Sequence, residues 1–271
     1  MPTLAEQYPG KALITGASSG IGAEYARQLA AEGFDLVIVA RRQGRLESLK
    51  SELEGRYGTA CEYIAADLAT PEGLNTARER LAQDDISLFV NNAGFGQKGF
   101  FPDTDLEQAV KMIRLNCEAT LVLVHAAASS MQSRGPCGII ILSSIAAFQG
   151  TPFTSAYAAT KGFDLLLGEG LYQEMRSTPI DVLTVCPGPT DTEGPRNTGI
   201  DPAAVSTMMS AAAVVKASLK ALGKRPLVVP GFFNRVGAFL VKIMPRSIAA
   251  WISGKMIQRV IQKSQRSLAE N

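Results

Sequence analysis

One histidine, one tryptophan and four scattered cysteines are a thin stock for metal or thiol chemistry in a chain of 271 residues. Cys61, Cys117, Cys137 and Cys186 lie far apart with no C-x-x-C pair, and His125 has no histidine partner. Zinc chemistry therefore has almost nothing to work with, and the cysteines read as reduced core residues of a cytoplasmic protein. Neither sign of charge is in excess, and a formal +2 leaves no electrostatic footprint for nucleic acid. No uncharged apolar run reaches the ~20 residues that a bilayer crossing requires. The longest candidate, Ala119–Met131, contains His125 and reads as a buried helix. The opening MPTLAEQYPG has neither a basic nor an apolar signal region, so secretion is not expected.

Hydrophobic residues at 46% against 19% charged provide for a well-cored globular protein. Short β-branched runs at 11–17, 35–40, 61–68, 86–94, 138–144 and 180–188 alternate with longer helical stretches. Several runs are apolar throughout, as strands covered by helices on both faces require. One helix is ended by Gly33, and another is opened by Thr70 and Pro71. The alternation predicts one doubly wound α/β domain over 1–230, with a mainly parallel sheet and helices on both faces, then a helical extension over 231–271.

TGASSGIG (15–22) follows the first strand and opens the first helix. Its glycines suit a sharp turn at Gly16, a close approach to a phosphate at Gly20 and tight packing at Gly22. Ser18, Ser19 and Ile21 complete a loop whose helix N-terminus offers free N–H groups to an anion. A plain glycine-rich turn would carry the same letters, but the strand-to-helix setting favours a dinucleotide. An NAD site usually ends the second strand on a carboxylate, whereas this chain has Ala40, Arg41 and Arg42 there. A guanidinium grips the 2′-phosphate that a carboxylate would repel, so NADP(H) is expected, one of the two arginines being a solvated loop charge.

Tyr157 and Lys161 stand four apart in a bland helical segment, which alone reads as a core aromatic beside a solvated lysine. Ser144 lies 13 residues before Tyr157, NNAG (91–94) closes the fourth strand, and Asn116 sits in the helix that follows. With TGASSGIG, Asp67 and PGPTDT (187–192), the set resembles the short-chain dehydrogenase/reductase family over roughly residues 10 to 192, without departure at a catalytic position. The resemblance implies a Rossmann-type oxidoreductase that interconverts a ketone or aldehyde with its alcohol.

Hydride transfer to a ketone leaves a developing alkoxide that needs a proton. A free tyrosine, with pKa ~10, exchanges protons poorly near neutrality. A nearby ammonium favours the phenolate, and i,i+4 spacing puts both groups on one helical face. The resemblance makes Tyr157 the acid/base, sets Lys161 on the nicotinamide ribose, Ser144 on the carbonyl and Asn116 on a relay water. It further implies cofactor contacts at Asp67, Leu68, Asn91, Ala93, Gly94, Pro187, Gly188, Thr190 and Thr192. On the residues alone, Ser143 could replace Ser144, Asn116 could be an ordinary buried amide, and Asp67 could cap the turn into Thr70.

Substrate contacts are expected from 94–103, 146–153 and the loop at about 193–215, which hold Phe95, Phe100, Phe101, Phe148, Phe153, Met208 and Met209. An apolar cleft there would suit an acyl, steroid-like or lipid-derived carbonyl, although several of these side chains could simply pack the core. Residues 232–271 hold seven basic residues and one acidic, against 20 and 24 in the rest. Ile248, Ile252, Met256 and Val260 form a stripe, read first as a face buried against its own domain or a second subunit. The second reading is a peripheral contact with an anionic membrane or a cover for the cleft. A homodimer or homotetramer through the helices holding Asn116 and Tyr157 is implied by the resemblance. An NADPH-binding regulator or peripheral membrane protein with little turnover is the alternative, opposed by the intact Ser144, Tyr157 and Lys161 set.

Overall fold

Strands form at all six β-branched runs: β1 (Lys11–Thr15), β2 (Leu36–Ala40), β3 (Cys61–Ala65), β4 (Ile86–Asn91), β5 (Cys137–Leu142) and β6 (Ile180–Val185). The computed structural model describes residues 2–193 and 208–269. A seventh strand, β9 (Leu227–Val228), completes a parallel sheet in the order β3-β2-β1-β4-β5-β6-β9. The order reverses between β1 and β4, which opens a crevice at the carboxyl ends of those strands. A separate two-stranded ladder pairs β7 (Thr190–Asp191) with β8 (Met209–Ser210).

Every residue of β2, β4 and β5 is buried, which explains their unbroken apolar runs. One face packs on α2 (Gly20–Ala31), α3 (Gln43–Tyr57) and α8 (Ala211–Ala221), around Tyr25, Phe34 and Leu53. The other packs on α4 (Pro71–Leu81) and α6 (Ala119–Met131), around Phe89, Leu81 and Leu123. Thr70 caps α4, its hydroxyl accepting from Gly73 N at 3.2 Å, with Pro71 in the first turn. A four-residue helix, α1 (Leu4–Gln7), precedes the sheet.

Two expectations need correction. Ala119–Met131 is a helix over the expected span, but only one side is buried; Leu121 is half exposed and His125 faces solvent. The C-terminal stripe does not lie against its own domain: Ile248, Ile252 and Met256 on α10 (Arg246–Ala269) are 47%, 37% and 61% exposed. The small residues Ala238 on α9 (Phe232–Ile243), and Ala249 and Gly254 on α10, face inward instead. Among the described residues no helix is long and apolar enough to cross a membrane.

Candidate active site

The first loop is built on backbone. Gly16 and Gly20 take φ of +69° and +56°, a region that favours glycine. A Cβ at Gly22 would run into the Gly16 carbonyl and the Asn92 side chain. Asn92 Nδ2 donates to Thr15 O at 2.8 Å, and Thr15 Oγ1 accepts from the backbone N–H of both Asn92 and Ala93 at 3.0 Å, so the ends of β1 and β4 are tied beneath the loop. Ser19 precedes α2 without a side-chain cap, and Ile21 packs toward the core.

Arg42 reaches across this loop. Its guanidinium donates to Ser19 Oγ at 2.8 Å and to Ser18 Oγ at 3.1 Å, and pairs with Glu193 at 2.9 Å. Arg45, three residues on in the first turn of α3, also pairs with Glu193. Hydrogen bonds from Arg45 and Arg42 hold the Glu193 carboxyl down at about 2. Two guanidiniums thus already gather an anion beside the glycine loop, a donor set that fits a ribose 2′-phosphate. Arg41 is exposed.

Asp67 lies in the turn after β3, where Oδ1 accepts from Ala69 N at 3.1 Å and Oδ2 pairs with Lys111 at 2.9 Å. Burial pushes its pKa up, but the bonds from Lys111 and Ala69 outweigh this and leave it low. Leu68 beside it is buried. On the far side, Thr192 packs over Gly20, where a Cβ would stand 3.0 Å from the Thr192 methyl. Thr190 Oγ1 donates to Gly188 O at 2.9 Å, and Pro187 O accepts from Ile145 N at 3.0 Å. Of the expected substrate loop, 194–207 lies outside the described residues.

The family-like polar residues gather around Gly94. A Cβ there would stand 3.1 Å from Asn116 Oδ1 and 3.4 Å from Lys161 Nζ, so these side chains converge on one glycine. Two residues on, a Cβ at Gly96 would touch the Tyr157 ring at 3.2 Å. Asn116 is fully buried in a π-helical turn, Arg114–Glu118, between α5 (Leu106–Ile113) and α6. Its Nδ2 donates to Phe95 O at 2.9 Å and Thr160 Oγ1 at 3.0 Å, while Oδ1 accepts from Phe95 N at 3.2 Å. Asn91 is also buried, donating to Thr120 Oγ1 at 2.9 Å.

Ser143 and Ser144 sit in different surroundings. Ser143 is buried with its hydroxyl donating to Lys161 O at 2.7 Å. Ser144 stays half-buried at the start of the short turn Ile145–Phe148, where its Oγ accepts from Ala146 N at 3.2 Å.

Lys161 is buried on α7 (Ser155–Glu174) and donates to Leu142 O and to Asp164 Oδ2, each at 2.8 Å. Asp164 is 1% exposed. Burial works against the ammonium, but the Asp164 carboxylate, with the Tyr157 phenol, more than offsets it and holds the Lys161 pKa above the ordinary lysine range. The solvated-lysine reading is thus excluded. Sequence reasoning missed Asp164, Arg45, Lys111 and Asn92; Asp164 and Arg45 each stand three residues from a named site residue, and that spacing was the available signal. Among the described residues no His, Cys, Asp and Glu cluster could hold a metal. All four cysteines are free, and burial pushes the Cys186 thiol up to about 12.

Comparison with known proteins places this geometry. The sequence is 34% identical over 158 residues to a very-long-chain 3-oxoacyl-CoA reductase of Pyrenophora tritici-repentis, a match covering 56% of this chain and 46% of that one. The chain spans about half the length of such fungal reductases. An uncharacterized oxidoreductase of Mycobacterium tuberculosis is 34% identical over 220 residues, 80% of this chain and 85% of its own. A short-chain dehydrogenase from Sphingobium yanoikuyae, solved in complex with NADPH, superposes with a TM-score of 0.79 at 34% identity, covering 88% of this chain and 97% of that one. The profile of the short chain dehydrogenases matches residues 10–203, which include the glycine loop, Asn116, Ser144, Tyr157 and Lys161. This chain belongs to the short chain dehydrogenase family.

Proposed function

We propose that the protein is an NADP(H)-dependent oxidoreductase that reduces a ketone or aldehyde of an apolar, acyl- or lipid-derived substrate, or oxidises the matching alcohol. The observation that carries this is the convergence of Asn116 and Lys161 on Gly94, with the Tyr157 ring against Gly96 and the half-buried Ser144 just beyond the end of β5. The glycine loop, Arg42 and Arg45 would hold NADPH, which would supply the hydride when bound. Ser144 donates a hydrogen bond to the substrate oxygen and fixes its position. Tyr157 gives that oxygen a proton as negative charge develops, with the buried Lys161 ammonium on the same helical face. Asn116, locked between Phe95 and Thr160, holds the wall of this site in register.

The oxoacyl reductase likeness supports an acyl carbonyl, and Phe100 and Phe101, exposed in the segment that follows Gly96, support an apolar one. The test is NADPH consumption against aldehydes, ketones and 3-ketoacyl thioesters of graded length. Catalytic efficiency is expected to rise with chain length; a flat series refutes the apolar substrate, and no turnover on any compound despite NADPH binding favours a regulator.

Coenzyme choice has its own test. Arg42→Ala is expected to weaken NADPH at least about tenfold, in line with loss of a charge-assisted hydrogen bond pair, and to leave NADH nearly unaffected. Arg41→Asp should act in the same direction by repelling the phosphate. Equal losses for both coenzymes would remove the 2′-phosphate assignment. A homo-oligomer is also proposed, through α5, α6 and α7, whose Leu106, Val110, Leu121 and Leu166 are exposed.

A further inference from the structure

Helices α9 and α10 are turned inside out relative to an ordinary surface pair. Their buried contacts are made chiefly by small residues, with Asn234 packed on Gly188 and Met209. Ala238 and Ala249 are buried, Gly254 abuts Pro152, and Ser253 Oγ donates to Gly150 O at 3.3 Å. The large apolar side chains point out: Phe233 is 78% exposed, Phe232 and Ile243 66%, Trp251 65%, Phe239 63% and Met256 61%. Contiguous apolar patches above a few hundred Å² are rare on soluble monomers and mark interaction sites.

Charge identifies the occupant. From Pro202 to Ala269 the sequence has no acidic residue. Arg235, Lys242, Arg246, Lys255 and Arg259 are exposed on the same two helices as the aromatics. A second copy is a poor occupant, because a two-fold interface sets the same basic patch against itself. Self-association already has an uncharged set of exposed side chains on α5, α6 and α7. Aromatic side chains that enter the acyl boundary, flanked by long basic ones that reach headgroups, match an anionic lipid surface.

We propose that α9 and α10 dock this protein onto an anionic bilayer, lying on it rather than crossing it. The docking helices rest directly on the segment that follows Ser144: Lys242 lies 5.1 Å over the Phe148 ring and Gly254 sits on Pro152. Gly99 N donates to Phe153 O at 2.8 Å, which ties exposed Phe100 and Phe101 to the same rim. Docking therefore brings the rim of the crevice to the lipid. That a lipid-borne carbonyl then enters from the membrane rests on the function proposed above, while docking itself does not.

Trp251 is the chain's one tryptophan and serves as the probe. The full-length protein is titrated with phosphatidylglycerol-containing vesicles and with pure phosphatidylcholine vesicles, followed by Trp251 emission and co-sedimentation. The expected result is a blue shift and sedimentation with the anionic vesicles only, both weakened by high salt. Each basic side chain at such a surface is worth about fivefold in affinity, so Arg246→Gln with Lys255→Gln should weaken binding roughly thirtyfold. Phe233→Asp with Phe239→Asp should abolish the shift while NADPH binding, read separately, is retained. The proposal is overturned if neither vesicle shifts the emission. It is equally overturned if the shift follows protein concentration without vesicles, which would give the face to a second copy. Because the readout contains no turnover, failure of docking and failure of the reductase reading are told apart.

Discussion

Tyr157→Phe is expected to lower carbonyl reduction by about 10²–10⁴-fold, the usual worth of a positioned general acid, while the protein folds normally and still binds NADPH. The ring, not the hydroxyl, packs against Gly96, so phenylalanine keeps the contact that the fold uses and loses only the proton donor. Thermal unfolding and NADPH fluorescence titration beside single-turnover kinetics separate the two. A variant that retained full turnover would remove Tyr157 from the chemistry and leave Ser144 as the candidate donor. A variant that failed to bind NADPH would instead make the hydroxyl part of the coenzyme site.

The second large effect is on stability, at the buried pair of Lys161 and Asp164. Removing one partner of a buried ion pair costs about 3–5 kcal/mol, because the other charge is left without compensation. Asp164→Asn keeps the shape and an acceptor, so a loss near the lower end, about 3 kcal/mol, is expected. Its signature is a reversal with pH. In the parent protein the folded-state pKa of Lys161 is raised, so its contribution is fully present below the unfolded value of about 10.4 and is lost as pH rises through the folded value. In the variant the strongest attraction is gone, burial pushes the folded pKa below the unfolded one, and stability gains from alkali instead. Urea unfolding between neutral and alkaline pH measures this directly. Two parallel pH curves would show that Asp164 does not hold the charge on Lys161.

The sheet was legible because β2, β4 and β5 are buried on both faces, which leaves unbroken apolar runs between helix signals. Runs 61–68, 86–94 and 180–188 ended early, at Ala65, Asn91 and Val185, where the chain turns into the crevice. β9 has two residues, too few to carry any period, and β7 and β8 are as short. In the site, spacing located Tyr157, Lys161 and Ser144, since the letters repeat a known pattern. The partnerships of Asp67 with Lys111 and of Asn116 with Phe95 join residues distant in sequence, and only the fold brings them together. The apolar stripe of α10 was readable at helical spacing, but spacing does not say which side meets the domain. The small residues Ala238, Ala249 and Gly254 decided that, against the usual rule that large apolar side chains turn inward.

The π-helical turn at Arg114–Glu118 fixes chain length as strictly as it fixes residue identity. A wide turn accommodates one residue more than a regular helix would over the same rise. At about 100° per residue, a regular helix one residue shorter covers nearly the same rotation as well. Deleting a single residue between Arg114 and Glu118 would therefore let α5 run straight into α6 with both helices kept in place. Lys111 would stay on Asp67, and the exposed side of α5 that carries Leu106 and Val110 would keep its setting. The loss would fall on the turn itself, where Asn116 would give up Phe95 and Thr160. Substitutions elsewhere along this helix are local events, whereas a one-residue deletion here would take a buried polar side chain out of the crevice wall and leave the outer surface as it is.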